Sequence, residues 1–298
     1  MEPIGHYFKI GLIAAMAYPD FGNNPVAAVE RIARDSYFDA VELNPIPPEH
    51  RKAVAKVLAP SHLTVCCGAQ ARLLGSGLNP NDLDEAGRQK AEQTLIQGVD
   101  EAAELGAQSV AFLSGKWWPQ TRKKGLEQLL KTTLAVCRYA ASKDIDVELE
   151  VFDYDIDKGS LIGPAPLAAQ FAAQVRNHYQ NFGLLVDLSH IPMTYETPEF
   201  VVRTLRPYIT HLHMGNTVIA GPDLEAYGDE HPCFGFPSSE NDIPQLVVYL
   251  QALRQEGFFN RQDPYVLSFE VKPRSDEDPQ VVVANAKRVL NRAWALLD

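Results

Sequence analysis

The chain has 298 residues, 46% of them apolar and 22% charged, with a formal charge of −11 and a pI near 5.2. That acidic balance argues against a nucleic-acid partner, whose phosphates need a basic face that releases counterions. No stretch reaches the ~18 consecutive apolar residues of a membrane-spanning helix, so no membrane partner is expected. The N-terminal segment lacks the basic start of a secretory signal. Cys66, Cys67, Cys137 and Cys233 form no C-x-x-C pair. Reduced thiols in a cytoplasmic protein are therefore expected, not a disulfide framework or a structural zinc site.

In chain order, eight short runs rich in Val, Leu, Ile and Phe predict strands over residues 8–16, 39–44, 63–70, 109–115, 146–152, 182–190, 209–216 and 265–271. Segments of helical periodicity separate them. From Leu83 to Leu105, Leu95, Val99 and Ala102 fall on one face, and Asp82 followed by Glu85 reads as a capping-box start. Leu126, Leu129, Leu130, Leu134 and Cys137 predict the buried stripe of the next helix, and Val282, Val289, Ala293 and Leu296 that of the last. Alternating strands and helices signal a parallel sheet, and eight strands close it. The expected fold is a (β/α)8 TIM barrel forming one domain over residues 1–298. An open doubly wound sheet is disfavoured by the lack of a Gly-rich phosphate turn after the first strand.

Two connections stand out at the strand C-termini, where such barrels build their sites. Thr217 to Asn241 is a long loop mixing aromatic, charged, Gly and Pro residues, which is usual of functional loops. It carries His231, with Asp229 and Glu230, toward the mouth. Lys116-Trp117-Trp118-Pro119 brings two indoles there, and Trp117 is a candidate for stacking on a substrate.

Period-two alternation sets which side chains point inward. Val147, Leu149 and Val151 share the helix-packing face of the fifth strand, leaving Glu148 and Glu150 inside. By the same rule the sixth strand sends Asp187 inward, the seventh His211 and His213, and the eighth Ser268, Glu270 and Lys272. Glu150, Asp187, His213 and Glu270 thus converge near the C-terminal barrel end. Three carboxylates in one barrel repel one another and carry a heavy desolvation cost unless a cation sits among them. One divalent ion resolves that conflict. Oxygen-rich ligation with one imidazole suits Mn²⁺ or Mg²⁺, with Co²⁺ also accommodated. Lys272 shares the inward face of Glu270, as a neutralising or substrate-binding group. Glu148 and His211 lie one step deeper, as support for the ligands or as core polar residues.

The motifs E-V-F-D at Glu150, V-D-L-S-H at Asp187 to His190, H-L-H-M-G-N at His211 and S-F-E-V-K at Glu270 resemble the xylose-isomerase-like barrels. Among these, the sequence is similar to sugar epimerases of the D-tagatose and D-psicose 3-epimerase type. The resemblance implies that the four convergent residues bind one metal, that Glu150 and Glu270 double as acid and base, and that His190 contacts substrate. The run from Tyr227 to Gly235 instead resembles relatives acting on 3-oxo-glycosides, including C-glycoside-cleaving lyases.

The expected activity is a metal-dependent sugar isomerase or epimerase. A glutamate abstracts an α-proton from a ketose or oxo-sugar through a metal-stabilised enediolate. The alternative is a 3-oxo-glycoside lyase that uses the same site for β-elimination, and a more distant one is a non-catalytic sugar-binding barrel. The expected partner is a small sugar or glycoside. A homo-oligomer is open, as is a small accessory subunit under the lyase reading.

Overall fold

The computed structural model describes residues 2–297. Eight parallel strands close into one barrel in sequence order. They are β1 (Phe8–Ile13), β2 (Ala40–Leu43), β3 (Thr64–Gly68), β4 (Ser109–Leu113), β5 (Asp146–Val151), β6 (Phe182–Asp187), β7 (Ile209–Gly215) and β8 (Tyr265–Glu270). Pairing of β1 with β8, Phe8 opposite Tyr265 through Leu12 opposite Phe269, shuts the cylinder. The first and last residues of the expected domain, Met1 and Asp298, lie outside the described residues. Among those described, no helix is long and apolar enough to cross a membrane.

The two faces of each strand pack as alternation demands. Val147, Leu149 and Val151 join Leu184, Val186, Leu212, Met214, Leu267 and Phe269 in the layer between barrel and helices. Inside the barrel, Cys66 packs with Ala40 and Val266, while its neighbour Cys67 belongs to the outer layer. Burying that outer apolar layer is the main stabilising contribution, on the order of 25 cal/mol per Å² removed from water.

Several boundaries differ from the sequence expectation, each for a local reason. Residues expected to extend three strands begin helical turns instead: Ala14–Ala17, Gln70–Ser76 and His190–Met193. The ladders of these strands end at Ile13 opposite Glu42, Gly68 opposite Ala111 and Asp187 opposite His213, and past them the backbone pairs within helical turns. The helix expected from Leu83 spans Glu85–Leu105, and its cap is Asp84, whose side chain accepts from the Gly87 N–H at 3.0 Å. Asp82 instead receives the Asp84 N–H, and Glu85 pairs with Arg88, so no capping box forms. On the helix Arg122–Ala141 the buried face runs through Leu129, Thr132, Thr133, Val136 and Cys137. Leu126, Leu130 and Leu134 lie at its edge, half-buried. Leu296, expected in the final stripe, is 60% exposed, and Leu290 and Leu297 are buried in its place.

Candidate metal centre

Neighbouring strands deliver the convergent residues in register. Asp187 pairs with His213 across β6 and β7, and Gly215 with Glu270 across β7 and β8. One ligand atom from each of Glu150, Asp187, His213 and Glu270 lies within 4.8 Å of all the others. Glu150, His213 and Glu270 line a cavity of about 280 Å³ at the C-terminal end, together with Gln70, Lys158, Glu230, His231 and Lys272.

The site's electrostatics show what the donor set lacks. Burial raises the Glu150 carboxyl to about 7; the imidazole of His190 opposes this rise, and the carboxylate of Glu270 adds to it. For His213, burial works against the charged ring, yet Glu42 and Glu270 hold it well above the usual imidazole range. Burial would raise Asp187 as well, but the imidazoles of His190, His231 and His213 lower it, so protonated rings act as the counter-charge there. A divalent ion supplies the same charge at the centre of the group, so the residues present fit one.

His213 is also oriented for ligation. Its Nε2 stands 3.0 Å from both carboxylate oxygens of Glu42, and its Nδ1 2.8 Å from Glu270 Oε2. A carboxylate behind the ring keeps the proton on Nε2 and leaves Nδ1 to face the ion. Glu42 in turn meets His211 Nε2 at 2.9 Å, and His211 Nδ1 meets Glu148 at 2.9 Å, a buried line descending the barrel. Between two carboxylates, His211 rises to about 9 although burial works against it.

Glu42 is absent from the sequence expectation, but the signal is there: Val41 and Leu43 pack outward, so alternation sends Glu42 in. Replacing Glu42 with Leu is expected to lower divalent-metal affinity by ~10–100-fold, the usual cost of losing such a partner. Titration calorimetry with Mn²⁺ checks this, and an unchanged affinity rejects the role. Gln70 was likewise read as strand; its Nε2 donates to Glu150 Oε2 at 2.9 Å.

The four expected substrate contacts separate into two pairs. His231 and Lys272 line the cavity. The Lys272 ammonium donates to Glu230 Oε2 at 2.8 Å. His231 adopts φ 44°, a strained value for a residue with a side chain. Its Nε2 lies 2.7 Å from Asp229, while its buried Nδ1 has no hydrogen-bond partner and faces Asp187 Oδ2 at 3.7 Å. A Cβ at position 215 would come within 2.9 Å of that Nδ1 and 3.0 Å of Asp187, so glycine is what lets the ring sit there. Burial opposes the charged form of His231, but Glu270 and Asp229 raise it to about 9.

The other pair stands off the cavity wall. His190 is buried behind Glu150, with Nδ1 on the Val151 carbonyl at 3.2 Å and Nε2 on Asp229 at 3.1 Å. Both nitrogens meet protein atoms, and the ring does not line the cavity where a substrate contact is expected of it. Trp117 packs on Tyr154 with ring centroids 4.4 Å apart and faces a separate recess with Asn81 and Thr121. Trp117 does not line the cavity of the four convergent residues, because the loop after β4 turns that indole toward the β5 loop.

The model of the xylose isomerase-like TIM barrel family matches residues 28–292. The chain belongs to that family. Among solved structures it is similar to a D-tagatose 3-epimerase-like protein, with a TM-score of 0.74 at 18% identity over 97% of this chain and 98% of that one. It is similar to the IOLI protein with a bound zinc atom, at 0.74 and 14% over 98% and 100%. A third is the 3-keto-D-glucoside 4-epimerase of E. coli, at 0.69 and 15% over 95% and 99%. None of the curated protein sequences matches significantly.

Proposed function

We propose that this family member is a divalent-metal-dependent sugar isomerase or epimerase acting on a ketose or oxo-sugar. The observation that carries the reading is the meeting of Glu150 and Glu270 with Asp187 and His213, three of which line one cavity. The names of the similar structures, two of them sugar epimerases, agree with it. Glu150, Asp187, His213 and Glu270 are the ligands. With three carboxylates among them the ion is Mn²⁺, with Mg²⁺ or Co²⁺ as substitutes. When bound, the ion polarises the substrate's carbonyl and adjoining hydroxyl.

Glu150 and Glu270 enter from strands on different sides of the group, so one takes the α-proton and the other returns it. Return to the same carbon on the opposite face inverts it, and return to the neighbouring carbon isomerises the sugar. Lys272 and His231 bind substrate hydroxyls from the rim. Gln70 and His190 hold Glu150 in place by contacts that leave its other lone pairs to the cavity.

One feature favours a second reading, elimination from a 3-oxo-glycoside. The loop from Thr217 to Asn241 sets His231 beside Glu270 Oε1 at 3.5 Å. There a protonated imidazole can supply the proton that a departing group needs. Incubating Mn²⁺-loaded protein in deuterated water with D-fructose and with a methyl 3-oxo-glucoside separates the readings. Epimer formation with deuterium at the α-carbon supports the first and aglycone release the second. Absence of exchange in both substrates rejects α-proton chemistry.

A further inference from the structure

Beside the metal cavity, at the same barrel mouth, lies a second one of about 340 Å³ between the helix Gln70–Ser76 and the loops after β4 and β5. Leu74 and Lys158 line both cavities and form the boundary between them. Lys158 is fixed there: its N–H donates to Asp153 at 2.6 Å, and its ammonium reaches Asp157 and, at 3.3 Å, Asp229.

The two cavities differ in kind. The metal cavity sets its carboxylates and imidazoles among apolar residues such as Ile13, Met16 and Phe152, whereas Leu73, Leu74, Leu78, Pro80, Leu113 and Trp118 wall the second, where no carboxylate or imidazole enters the lining. Leu74 is 47% exposed and Trp118 60%, so two of the chain's large apolar side chains meet water around one concave site. Concentrated exposure of this sort marks a surface that binds something. Two of the polar side chains on the same wall are engaged internally. Asn79 accepts the Asn81 N–H at 2.8 Å and donates to the Lys116 carbonyl at 3.0 Å, and Ser114 accepts the Ile162 N–H at 2.8 Å. Asn79 and Ser114 are therefore not free to hold a second sugar ring, while an apolar ring would cover the exposed indole and leucine.

We infer that the substrate is a glycoside with an aromatic aglycone. The sugar ring occupies the metal cavity, and the aglycone crosses between Leu74 and Lys158 into the second. The inference rests on the oxo-sugar reading of the metal cavity and narrows its substrate class.

The test compares 4-nitrophenyl and methyl 3-oxo-β-glucosides on Mn²⁺-loaded protein, by α-carbon deuterium exchange and by saturation transfer to the nitrophenyl protons. The expected result is a kcat/KM at least roughly tenfold higher for the aryl glycoside, the scale at which an apolar pocket discriminates. That ratio should fall toward one in Trp118→Ala and Leu74→Ser. Equal kcat/KM for the two glycosides in the wild type overturns the inference while leaving the metal reading intact. If neither glycoside exchanges, the metal reading fails and the saturation transfer decides the inference. Transfer to the ring in the wild type that is lost in Trp118→Ala upholds it, and no transfer overturns it.

Discussion

Replacing Glu150 or Glu270 with Gln is expected to reduce turnover by ~10²–10⁴-fold, the cost of removing a positioned general base, while part of the metal affinity remains. Gln keeps an oxygen donor of the same reach but cannot accept and return a proton. Metal content is measured first, so that loss of the ion is not mistaken for loss of chemistry. With the two epimers of a substrate in deuterated water, each variant should retain exchange in one epimer and lose it in the other, with opposite preferences. That crossed pattern identifies a two-base inversion across the cavity. Equal loss of exchange for both epimers in both variants, with metal bound, instead leaves a single base, as elimination requires.

Asp187→Ala and His213→Ala should abolish tight metal binding and activity together. Each removes one donor from a group whose ligand atoms lie within 4.8 Å of one another. In the wild type, Mn²⁺ at 100 times its Kd should stabilise the fold by about 2.7 kcal/mol, and neither variant should show that thermal shift. The same equilibrium depends on pH. In the metal-free protein the Glu150 carboxyl sits at about 7, above its ordinary 4.5, so below 7 it carries a proton that the ion must displace. Metal affinity therefore rises with pH through 7. The metal-free fold follows the opposite course. A folded-state carboxyl raised in this way binds more protons than the unfolded chain between 4.5 and 7, so its contribution to stability declines as pH rises across that window. Calorimetric affinity and melting temperature at pH 6 and 8 check both signs. A wild-type protein that binds no divalent ion at either pH would falsify the metal centre.

The barrel and the four convergent residues were legible because strand alternation is a local property. Once Val147, Leu149 and Val151 are assigned outward, Glu150 has one remaining side, and the same holds for Asp187, His213 and Glu270. Cys66 and Cys67 divide between inner and outer layers for that reason alone. Helix faces were less legible. The stripe through Leu126, Leu130 and Leu134 is displaced because Thr132 and Thr133 are buried between helices, where Thr132 accepts from Arg88 and donates to the Pro80 carbonyl. A hydrophobicity pattern cannot anticipate partners that distant helices supply.

The sequence by itself determined which side chains enter the barrel and at what height, because both follow from a two-residue period and the end of each strand. Only the tertiary structure decided which of them meet. Barrel closure lays Glu42 of β2 against His213 of β7, 171 residues away, and so supplies the carboxylate that orients this imidazole. Loop conformation did the rest. It wedged His231 beside Asp187 over Gly215, turned Trp117 away from the cavity of the four convergent residues and set Leu74 and Lys158 between two cavities. Those contacts depend on strand stagger around the closed cylinder and on turns whose hydrogen bonds reach across the mouth, and neither is written in the periodicity of any one segment.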